Sequence, residues 1–227
     1  LSVAEALRHA GYALNAHVDI HWIDSETLTP EPCGQTRGDL NGILVPGGFG
    51  SRGIEGMILA ARYAREHGVP YFGICLGMQI AVIEYARNKA GLPEANSGEF
   101  APEGEQNVID FMPGQSDTIN KGGTLRLGAY PCVIAPDTTM ARCYGLPQIS
   151  ERHRHRYELN NRFRQQLTDA GLTLSGTSPD GRLVETVELT DRPFYVGVQY
   201  HPEFKSRPNK PHPLFVGFVK ASLESKK

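Results

Sequence analysis

The sequence predicts an α/β fold in which an open, mostly parallel central sheet is flanked by helices. The 227 residues are 40% hydrophobic and 21% charged, which is the composition of an ordinary globular chain of one large domain. In the first half, short apolar runs that suit strands alternate with amphipathic stretches that suit helices. This order is that of βαβ units, which require parallel strands joined by right-handed crossovers.

Six elements are predicted in the first half of the chain. A helix over residues 2–10 would begin with Ser2 and Glu5, the pattern of a capping box, and would end at Gly11. Residues 17–23 alternate apolar and polar side chains, as a half-buried strand does. Further along we predict a strand over 42–45, a helix over 53–67, a strand over 69–74 and a helix over 76–89.

The second half is less regular and richer in strands. Residues 96–123 carry many Gly, Pro, Asn, Asp and Glu residues, which predicts a long excursion with a short strand over 108–111. Strands follow over 132–135, 172–176, 183–189 and 194–200, and a helix over 214–223 closes the domain. Because no repeat, low-complexity tract or linker interrupts the chain, we expect one domain.

Charge, hydropathy and cysteine content argue against several classes of protein. The net charge of −2 does not favour binding to nucleic acid or to an acidic membrane surface. No apolar run approaches the roughly 18 residues of a membrane span and no leader opens the chain, which indicates a soluble, cytoplasmic protein. The cysteines, Cys33, Cys75, Cys132 and Cys143, form no C-x-x-C pair, which argues against a disulfide scaffold or a thiolate zinc site. Since the chain opens in a helix without Met or a preceding strand, we expect it to be part of a longer protein.

The segment with the most chemistry is Gly-Ile-Cys-Leu-Gly at 73–77, between a predicted strand and a predicted helix. Its pattern G-x-C-x-G is the thiol counterpart of the G-x-S-x-G nucleophile elbow. The helix that begins at Leu76 would direct free N–H groups at the sulfur of Cys75, which favours a nucleophilic thiolate. The alternative is a buried structural cysteine, but such a residue needs neither flanking glycine.

His201 is the best candidate for the base that a nucleophilic cysteine requires. It follows the apolar run 194–200, so in a parallel sheet it would lie at the same edge as Cys75. Glu203 stands two residues further on, and in extended chain it would face the same side and orient the imidazole. The alternative is a solvated His-Pro-Glu turn.

A glycine loop, Pro-Gly-Gly-Phe-Gly at 46–50, follows another predicted strand. Its glycines resemble a dinucleotide fingerprint, yet the next strand ends in Cys75 and offers no acidic residue for a ribose. We therefore expect the backbone N–H of Gly48, together with that of Leu76, to hold the oxyanion of a tetrahedral intermediate.

Residues 151–158, Glu-Arg-His-Arg-His-Arg-Tyr-Glu, form the strongest local cluster of charge. Four interpretations are open: a nucleic-acid surface, metal ligation by His153 and His155, a solvated strand or loop, and an arginine that binds a small carboxylate substrate. The two flanking glutamates and the absence of a third ligand at a recognisable spacing disfavour the first two.

Together these motifs resemble the class I glutamine amidotransferases, whose glutaminase domains carry a Pro-Gly-Gly loop, a G-x-C-x-G elbow and a His-Pro-Glu. Within that class, four segments are similar to the glutaminase half of the CTP synthase family. They are Cys-Leu-Gly-Met-Gln at 75–79, Ser-Gly-Glu-Phe at 97–100, Gly-Gly-Thr-Leu-Arg-Leu-Gly at 122–128 and Arg-His-Arg-His-Arg-Tyr-Glu at 152–158. The resemblance implies a flavodoxin-like fold and hydrolysis of glutamine to glutamate and ammonia, with the ammonia supplied to ATP-dependent amination of UTP.

The resemblance also implies roles for individual residues. Cys75 would be the nucleophile, His201 the base and acid, and Glu203 the orienting carboxylate. Gly48 and Leu76 would form the oxyanion hole. The residues that would bind glutamine are Gly48, Leu76, Gly77, Met78, Gln79, Glu99 and Arg156. Arg156 suits the α-carboxylate and Glu99 the α-ammonium.

The expected partners follow from the same resemblance. Residues 1–227 would be a glutaminase domain that lacks its first strand and an N-terminal synthetase domain of the same polypeptide, in an enzyme that is a homotetramer. No metal or cofactor is expected in this domain, whereas ATP, UTP and Mg²⁺ would bind to the synthetase domain; neither nucleic acid nor membrane is an expected partner. The segment 104–121 is short and irregular for the family. Open alternatives are another class I amidotransferase, a γ-glutamyl hydrolase, or a non-catalytic regulatory module of this fold.

Overall fold

The computed structural model describes residues 1–29, 40–111 and 126–225. Over these ranges the chain forms six α-helices and ten strands. The helices are α1 Ser2–Ala13, α2 Ile54–His67, α3 Leu76–Asn88, α4 Thr139–Tyr144, α5 Arg164–Asp169 and α6 Pro213–Glu224. The strands are β1 Ile43–Val45, β2 Tyr71–Ile74, β3 Asn96–Ser97, β4 Asn107–Phe111, β5 Arg126–Ile134, β6 Gln148–His155, β7 Tyr157–Leu159, β8 Thr173–Thr177, β9 Val184–Glu188 and β10 Tyr195–Val198.

Seven strands form the central sheet, in the order β1-β2-β10-β9-β8-β5-β6. The strands β1, β2 and β10 pair in parallel, and the remaining neighbours pair antiparallel. The predicted α/β class with flanking helices is confirmed, and the sheet is mixed rather than parallel throughout. The reason lies in the connections, because the few residues between β8 and β9 and between β9 and β10 are too short for the crossover that parallel pairing requires.

Both faces of the central strands are covered by helices. On β2, Tyr71 belongs to the apolar cluster that includes α2 and α3, while its neighbour Phe72 belongs to the cluster that includes α1 and α6. Successive side chains of a strand point to opposite faces, so two fully buried neighbours require a cover on each side. The strand β2 is therefore buried between two layers of helices, and its carboxyl end positions the elbow.

Two predictions near the start of the chain were wrong in detail. The helix α1 runs past Gly11 to Ala13, and no side chain caps its first turn, because the N-cap residue is Leu1, which has no hydrogen-bonding side chain. Residues 17–23 form no strand with any described residue, although Val18 and Ile20 pack on the apolar cluster under α1 and α6. The alternation of apolar and polar residues thus indicates that one side of an extended segment is buried. It does not indicate that the segment pairs with a neighbouring strand.

The strand predicted over 108–111 is present as β4, the middle strand of a small sheet in the order β3-β4-β7. Residues 112–123 of the predicted excursion lie outside the described residues, as does Cys33. The sequence did not predict α4, α5, β6 or β7, which are short or rich in charged residues. None of the helices described has the length and apolar character needed to cross a membrane.

Candidate active site

The nucleophile elbow is a sharp turn in which Cys75 connects β2 directly to α3. Cys75 has a positive φ of 52° and is 3% exposed, and its N–H donates to the carbonyl of Val198 at 2.7 Å. A Cβ on Gly77 would lie 2.1 Å from the carbonyl oxygen of Val45, and one on Gly73 would lie 2.5 Å from the Gly77 carbonyl. Both flanking glycines are thus required by close backbone approach, which is the local reason for the G-x-C-x-G pattern.

His201 lies at the same edge of the sheet as Cys75, as predicted, because β2 and β10 are adjacent and parallel. Its Nδ1 bonds to Oε1 of Glu203 at 2.8 Å. Glu203 reaches the ring through a short 3₁₀ turn, Pro202–Lys205, and not along extended chain as the sequence suggested. The turn begins with Pro202, whose fixed φ suits the first position of a helical turn.

The charge of His201 is governed by its two neighbours. Burial lowers the pKa of His201, but the interactions with the Cys75 thiol and with the Glu203 carboxylate outweigh burial and raise the pKa to about 10. The ring is therefore protonated at neutral pH, which suits an acid that delivers a proton to a leaving group. Nδ1 is held by Glu203, so Nε2 is the nitrogen that is left for proton transfer.

The glycine loop lies against both residues. A Cβ on Gly47 would be 2.8 Å from Cε1 of His201 and 3.5 Å from Cβ of Cys75, so no larger residue fits there without moving the imidazole. The Cβ position of Gly48 is 3.1 Å from Cδ2 of Leu76. Among the described residues, neither the N–H of Gly48 nor that of Leu76 has an acceptor. The oxyanion hole that the sequence predicts from these two donors stays a prediction.

The residues predicted to bind glutamine have different environments. Glu99 lies beside the glycine loop, where its carboxylate accepts a hydrogen bond from the N–H of Gly50 at 2.8 Å. Arg156 is half-buried at the bend between β6 and β7.

Other predicted glutamine-binding residues lie in the first turn of α3. Gly77 packs on β1 and Met78 is fully buried in the core, so any contact of these two with a substrate would be made through the backbone. Gln79 is buried and donates to the carbonyl oxygen of Tyr157 at 3.0 Å and to Oε1 of Gln199 at 3.3 Å.

The charged segment 151–158 is neither a solvated loop nor a uniform basic surface. Along β6 the side chains alternate, with Glu151, His153 and His155 buried and Arg152 and Arg154 exposed. Nδ1 of His153 bonds to Nε2 of His155 at 3.0 Å, and the described residues contain no group of three ligands that could hold a metal ion. Burial lowers the pKa of His153 to about 2 and that of His155 to about 3, so both rings are neutral.

Sequence reasoning missed Gln199, which is completely buried and whose Nε2 lies 3.6 Å from the sulfur of Cys75. It also missed the buried ion pair of Arg126 with Glu185 and the buried hydrogen bond between His212 and Glu151. The sequence does contain a signal for Gln199. Its amide lies within an apolar strand, two residues before the candidate base His201, and a buried amide needs a polar partner.

Comparison with known proteins places this geometry in a family. The family model for class I glutamine amidotransferases matches residues 1–221. The chain belongs to the class I glutamine amidotransferases. The resemblance seen in the motifs is therefore confirmed.

Among relatives of this amidotransferase, a CTP synthase from Carboxydothermus hydrogenoformans is 60% identical over all 227 residues, and one from Herpetosiphon aurantiacus is 58% identical over 224 residues. The chain spans 42% of the length of each of these relatives. A solved structure of the glutaminase domain of the Trypanosoma brucei CTP synthase with bound acivicin is 39% identical and superposes with a TM-score of 0.91, covering 98% of this chain and 87% of that one.

A glutamine amidotransferase from Thermotoga maritima shares only 14% of its residues with this amidotransferase and has a TM-score of 0.52, covering 96% of this chain and 90% of that one. That comparison supports the fold alone. The α/β architecture is therefore common to the class, whereas the high identity over the whole chain is with CTP synthases.

Proposed function

We propose that this chain hydrolyses glutamine to glutamate and ammonia through a γ-glutamyl thioester on Cys75. The observation that carries the proposal is the arrangement of Cys75, His201 and Glu203 at one edge of the sheet, beside two backbone donors that have no acceptor in the described part of the chain. A nucleophile, a proton carrier, its orienting carboxylate and an oxyanion site are the parts that acyl transfer requires.

The proposed reaction has two halves. The Cys75 thiolate attacks the side-chain amide carbon of glutamine, and the N–H groups of Gly48 and Leu76 stabilise the oxyanion. The His201 imidazolium gives its proton to the departing nitrogen, the C–N bond breaks, and ammonia leaves a thioester behind. The imidazole then takes a proton from water, whose oxygen attacks the thioester carbon, and the C–S bond breaks to release glutamate and restore the thiolate.

In this proposal the substrate is recognised at both ends. Arg156 would bind the α-carboxylate by a charge-assisted hydrogen bond, and Glu99 would attract the α-ammonium while it remains bonded to the N–H of Gly50. Gly77, Met78 and Gln79 would complete the wall behind the reacting carbon. The zwitterionic substrate agrees with a chain whose net charge is only −2.

The use of the ammonia is proposed from the relatives. Because the chain matches 42% of the length of CTP synthases, we infer that it is the glutaminase domain of a longer polypeptide whose other part aminates UTP at the expense of ATP. ATP, UTP and Mg²⁺ would bind to that synthetase domain, and the residues described above act on glutamine alone. The homotetramer and the cytoplasmic location expected from the sequence remain part of this proposal.

The test is glutamate release by the wild-type protein, by Cys75→Ala and by Cys143→Ala, each measured for the chain alone and joined to its synthetase domain. We expect Cys75→Ala to lower the rate by about 10⁴-fold, because removal of a nucleophile eliminates covalent catalysis. Cys143 lies on α4 away from the elbow, so its variant should keep the wild-type rate. Undiminished hydrolysis by Cys75→Ala, or no hydrolysis by either wild-type form, would show that the proposal is wrong.

A further inference from the structure

Gln199 is held rigidly beside the nucleophile by its own backbone and by that of its neighbour. The residue directly follows β10, and its N–H donates to the carbonyl of Glu185 in β9 at 2.8 Å. The preceding carbonyl, that of Val198, accepts the N–H of Cys75 at 2.7 Å. The side chain has no exposure to solvent, and its Nε2 is 3.6 Å from Sγ of Cys75. A buried amide in contact with a reacting atom requires a reason.

The orientation of the Gln199 amide follows from the hydrogen-bond partners of Gln79. Nε2 of Gln79 carries two hydrogens, and it donates one to the carbonyl oxygen of Tyr157 and the other to Oε1 of Gln199. A backbone carbonyl can only accept, so the Gln79 amide cannot be reversed without losing both bonds. Oε1 of Gln199 is thereby fixed toward Gln79, and its Nε2 must face the sulfur as a donor.

The same carbonyl connects this chain of bonds to the buried histidines of β6. The Tyr157 oxygen also accepts from Nδ1 of His155 at 3.1 Å, and Nε2 of His155 bonds to Nδ1 of His153 at 3.0 Å. Because both rings are neutral, His155 donates at Nδ1 and accepts at Nε2, and His153 donates to it. The donor and acceptor directions along this series of hydrogen bonds are thus set by the Tyr157 carbonyl at the start of β7, which accepts from both Gln79 and His155.

We propose that the side-chain N–H of Gln199 stabilises the Cys75 thiolate, and that Gln79 is a positioning residue that keeps this N–H directed at the sulfur. A donor at this distance favours the charged form of the thiol over the neutral form. The inference rests on the proposed function in that it assigns a further residue to the same nucleophile. It concerns the free protein, however, and can be tested without glutamine.

Among residues 1–29, 40–111 and 126–225, the titratable side chain that interacts with the Cys75 sulfur is that of His201, whose Nδ1 is bonded to Glu203. The histidines of β6 are neutral, and Arg154 contributes its backbone carbonyl, 3.9 Å from Sγ, rather than its charge. Gln199 is therefore an uncharged donor beside a Cys75–His201 pair, and the two groups of that pair are treated together.

The experiment is the rate of alkylation of Cys75 by iodoacetamide as a function of pH, followed by peptide mass spectrometry on the 227-residue chain. Gln199→Met keeps the length of the side chain and removes the donor. We expect it to raise the pH midpoint of Cys75 alkylation by about one unit and to slow the reaction at pH 7 about tenfold. Gln79→Met should raise the midpoint by less, because the Gln199 amide keeps its donor but loses its fixed orientation.

Controls are available within the protein. Burial raises the pKa of Cys132 to about 12 and that of Cys143 to about 11, so these thiols should stay unlabelled below pH 9. Gln165→Met makes the same change at an exposed position of α5 and should leave the Cys75 midpoint unchanged. Thermal unfolding identifies any variant that does not fold, and if Gln199→Met fails to fold the Gln79→Met variant alone decides the result.

A wild-type midpoint in both folded variants would overturn the inference, since a purely structural glutamine would affect melting and not the thiolate. Failure of the proposed function would give a different result. The wild-type protein joined to its synthetase domain would then hydrolyse no glutamine, while the variants would still show a shifted pH midpoint for alkylation of Cys75. With glutamine as substrate, the inference also predicts a kcat about tenfold lower for Gln199→Met at pH 7 and an unchanged KM.

Discussion

Cys75 adopts a backbone conformation, φ 52° and ψ −101°, that costs an L-residue on the order of 1–3 kcal/mol. Two features maintain it: the N–H of Cys75 bonds to Val198, and α3 begins at the next residue. The turn directs the thiol away from the sheet to the start of α3, where backbone donors favour a negative charge. The strain is thus compensated by neighbouring structure, and the Cys75 sulfur lies beside His201 and Gln199.

The dependence of His201 on Glu203 leads to a prediction about pH. Glu203→Gln removes a charge and a hydrogen-bond acceptor that raise the pKa of His201, so that pKa should fall from about 10 toward its ordinary value. A lower pKa means that the imidazolium loses its proton at lower pH. We expect the high-pH limb of the glutamine hydrolysis profile to move to lower pH, with kcat reduced by about 10²-fold or more.

The matched control is Glu94→Gln, the same change at an exposed position away from the site. It should leave both the rate and the pH profile unchanged. A high-pH limb that stays in place in Glu203→Gln would contradict the assignment of Glu203 as the partner of His201.

At the scale of elements, α3 lies so close to the parallel strands that the positions of closest contact must be glycines. Gly77 lies on Val45 of β1, Gly73 of β2 lies under the Gly77 carbonyl, and a Cβ on Gly197 of β10 would be 3.0 Å from Met78. The Tyr71 hydroxyl donates to the Gly77 carbonyl at 2.8 Å, which ties the helix to β2. Three glycines on three elements therefore set the distance between α3 and the sheet, and with it the position of Cys75.

Gly77→Ala tests this packing. The new Cβ would lie 2.1 Å from the Val45 carbonyl oxygen, a backbone atom that cannot move without disturbing β1, so we expect a loss of about 3 kcal/mol in the free energy of unfolding. Gly91→Ala is the comparison, since nothing lies within 4 Å of its Cβ position and only its φ of +70° opposes the change, at about 1 kcal/mol. Urea unfolding of the two variants should show this order, and equal losses would mean that the close approach is not limiting.

At the scale of the whole molecule, several charged groups are buried as ion pairs inside the fold. Arg65 of α2 forms a bidentate pair with the fully buried Glu84 of α3, and Arg126 pairs with Glu185 behind β6. Such pairs add little net stability but penalise any arrangement that separates them, since an unpaired buried charge is costly. Glu158 lies near the second pair, and no ion pair of its own is seen among the described residues. Burial, followed by the charge of Glu185, raises its pKa to about 7.

Glu158 makes stability depend on pH in a defined direction. Its carboxyl loses a proton near pH 4.5 in the unfolded chain but only near pH 7 in the fold, so ionisation favours the unfolded state increasingly between these values. Glu158→Gln removes this penalty. We subtract the free energy of unfolding of the parent from that of the variant at each pH. This difference should be about 2 kcal/mol larger at pH 8 than at pH 5.

Urea unfolding at the two pH values measures this difference. Glu94→Gln makes the same change at an exposed position, and its free energy of unfolding should differ from that of the parent by the same amount at both pH values. A Glu158→Gln variant whose stability follows that of the parent at both values would show that the carboxyl is not the source of the pH dependence.

Local signals in the sequence were sufficient for the parts of the fold and the site that depend on contiguous residues. The strand, elbow and helix around Cys75, the glycine loop, and His201 followed by Glu203 were all predicted at the places where the structure has them. Each of these features depends on residues that are close in sequence, because a tight turn, a helix cap or a neighbouring carboxylate involves only a few consecutive residues.

The sequence by itself determined the family, the βαβ core and the residues proposed to react. Tertiary structure decided which segments pair, so that residues 17–23 remain outside the described sheets and β6 becomes a strand with a buried polar face. It also decided that Gln79 and Gln199 meet beneath Cys75, although 120 residues separate them. The physical reason is that hydrogen-bond partners and burial are fixed only when distant strands are brought together, whereas backbone turns and side-chain periodicity are already present in the local chain.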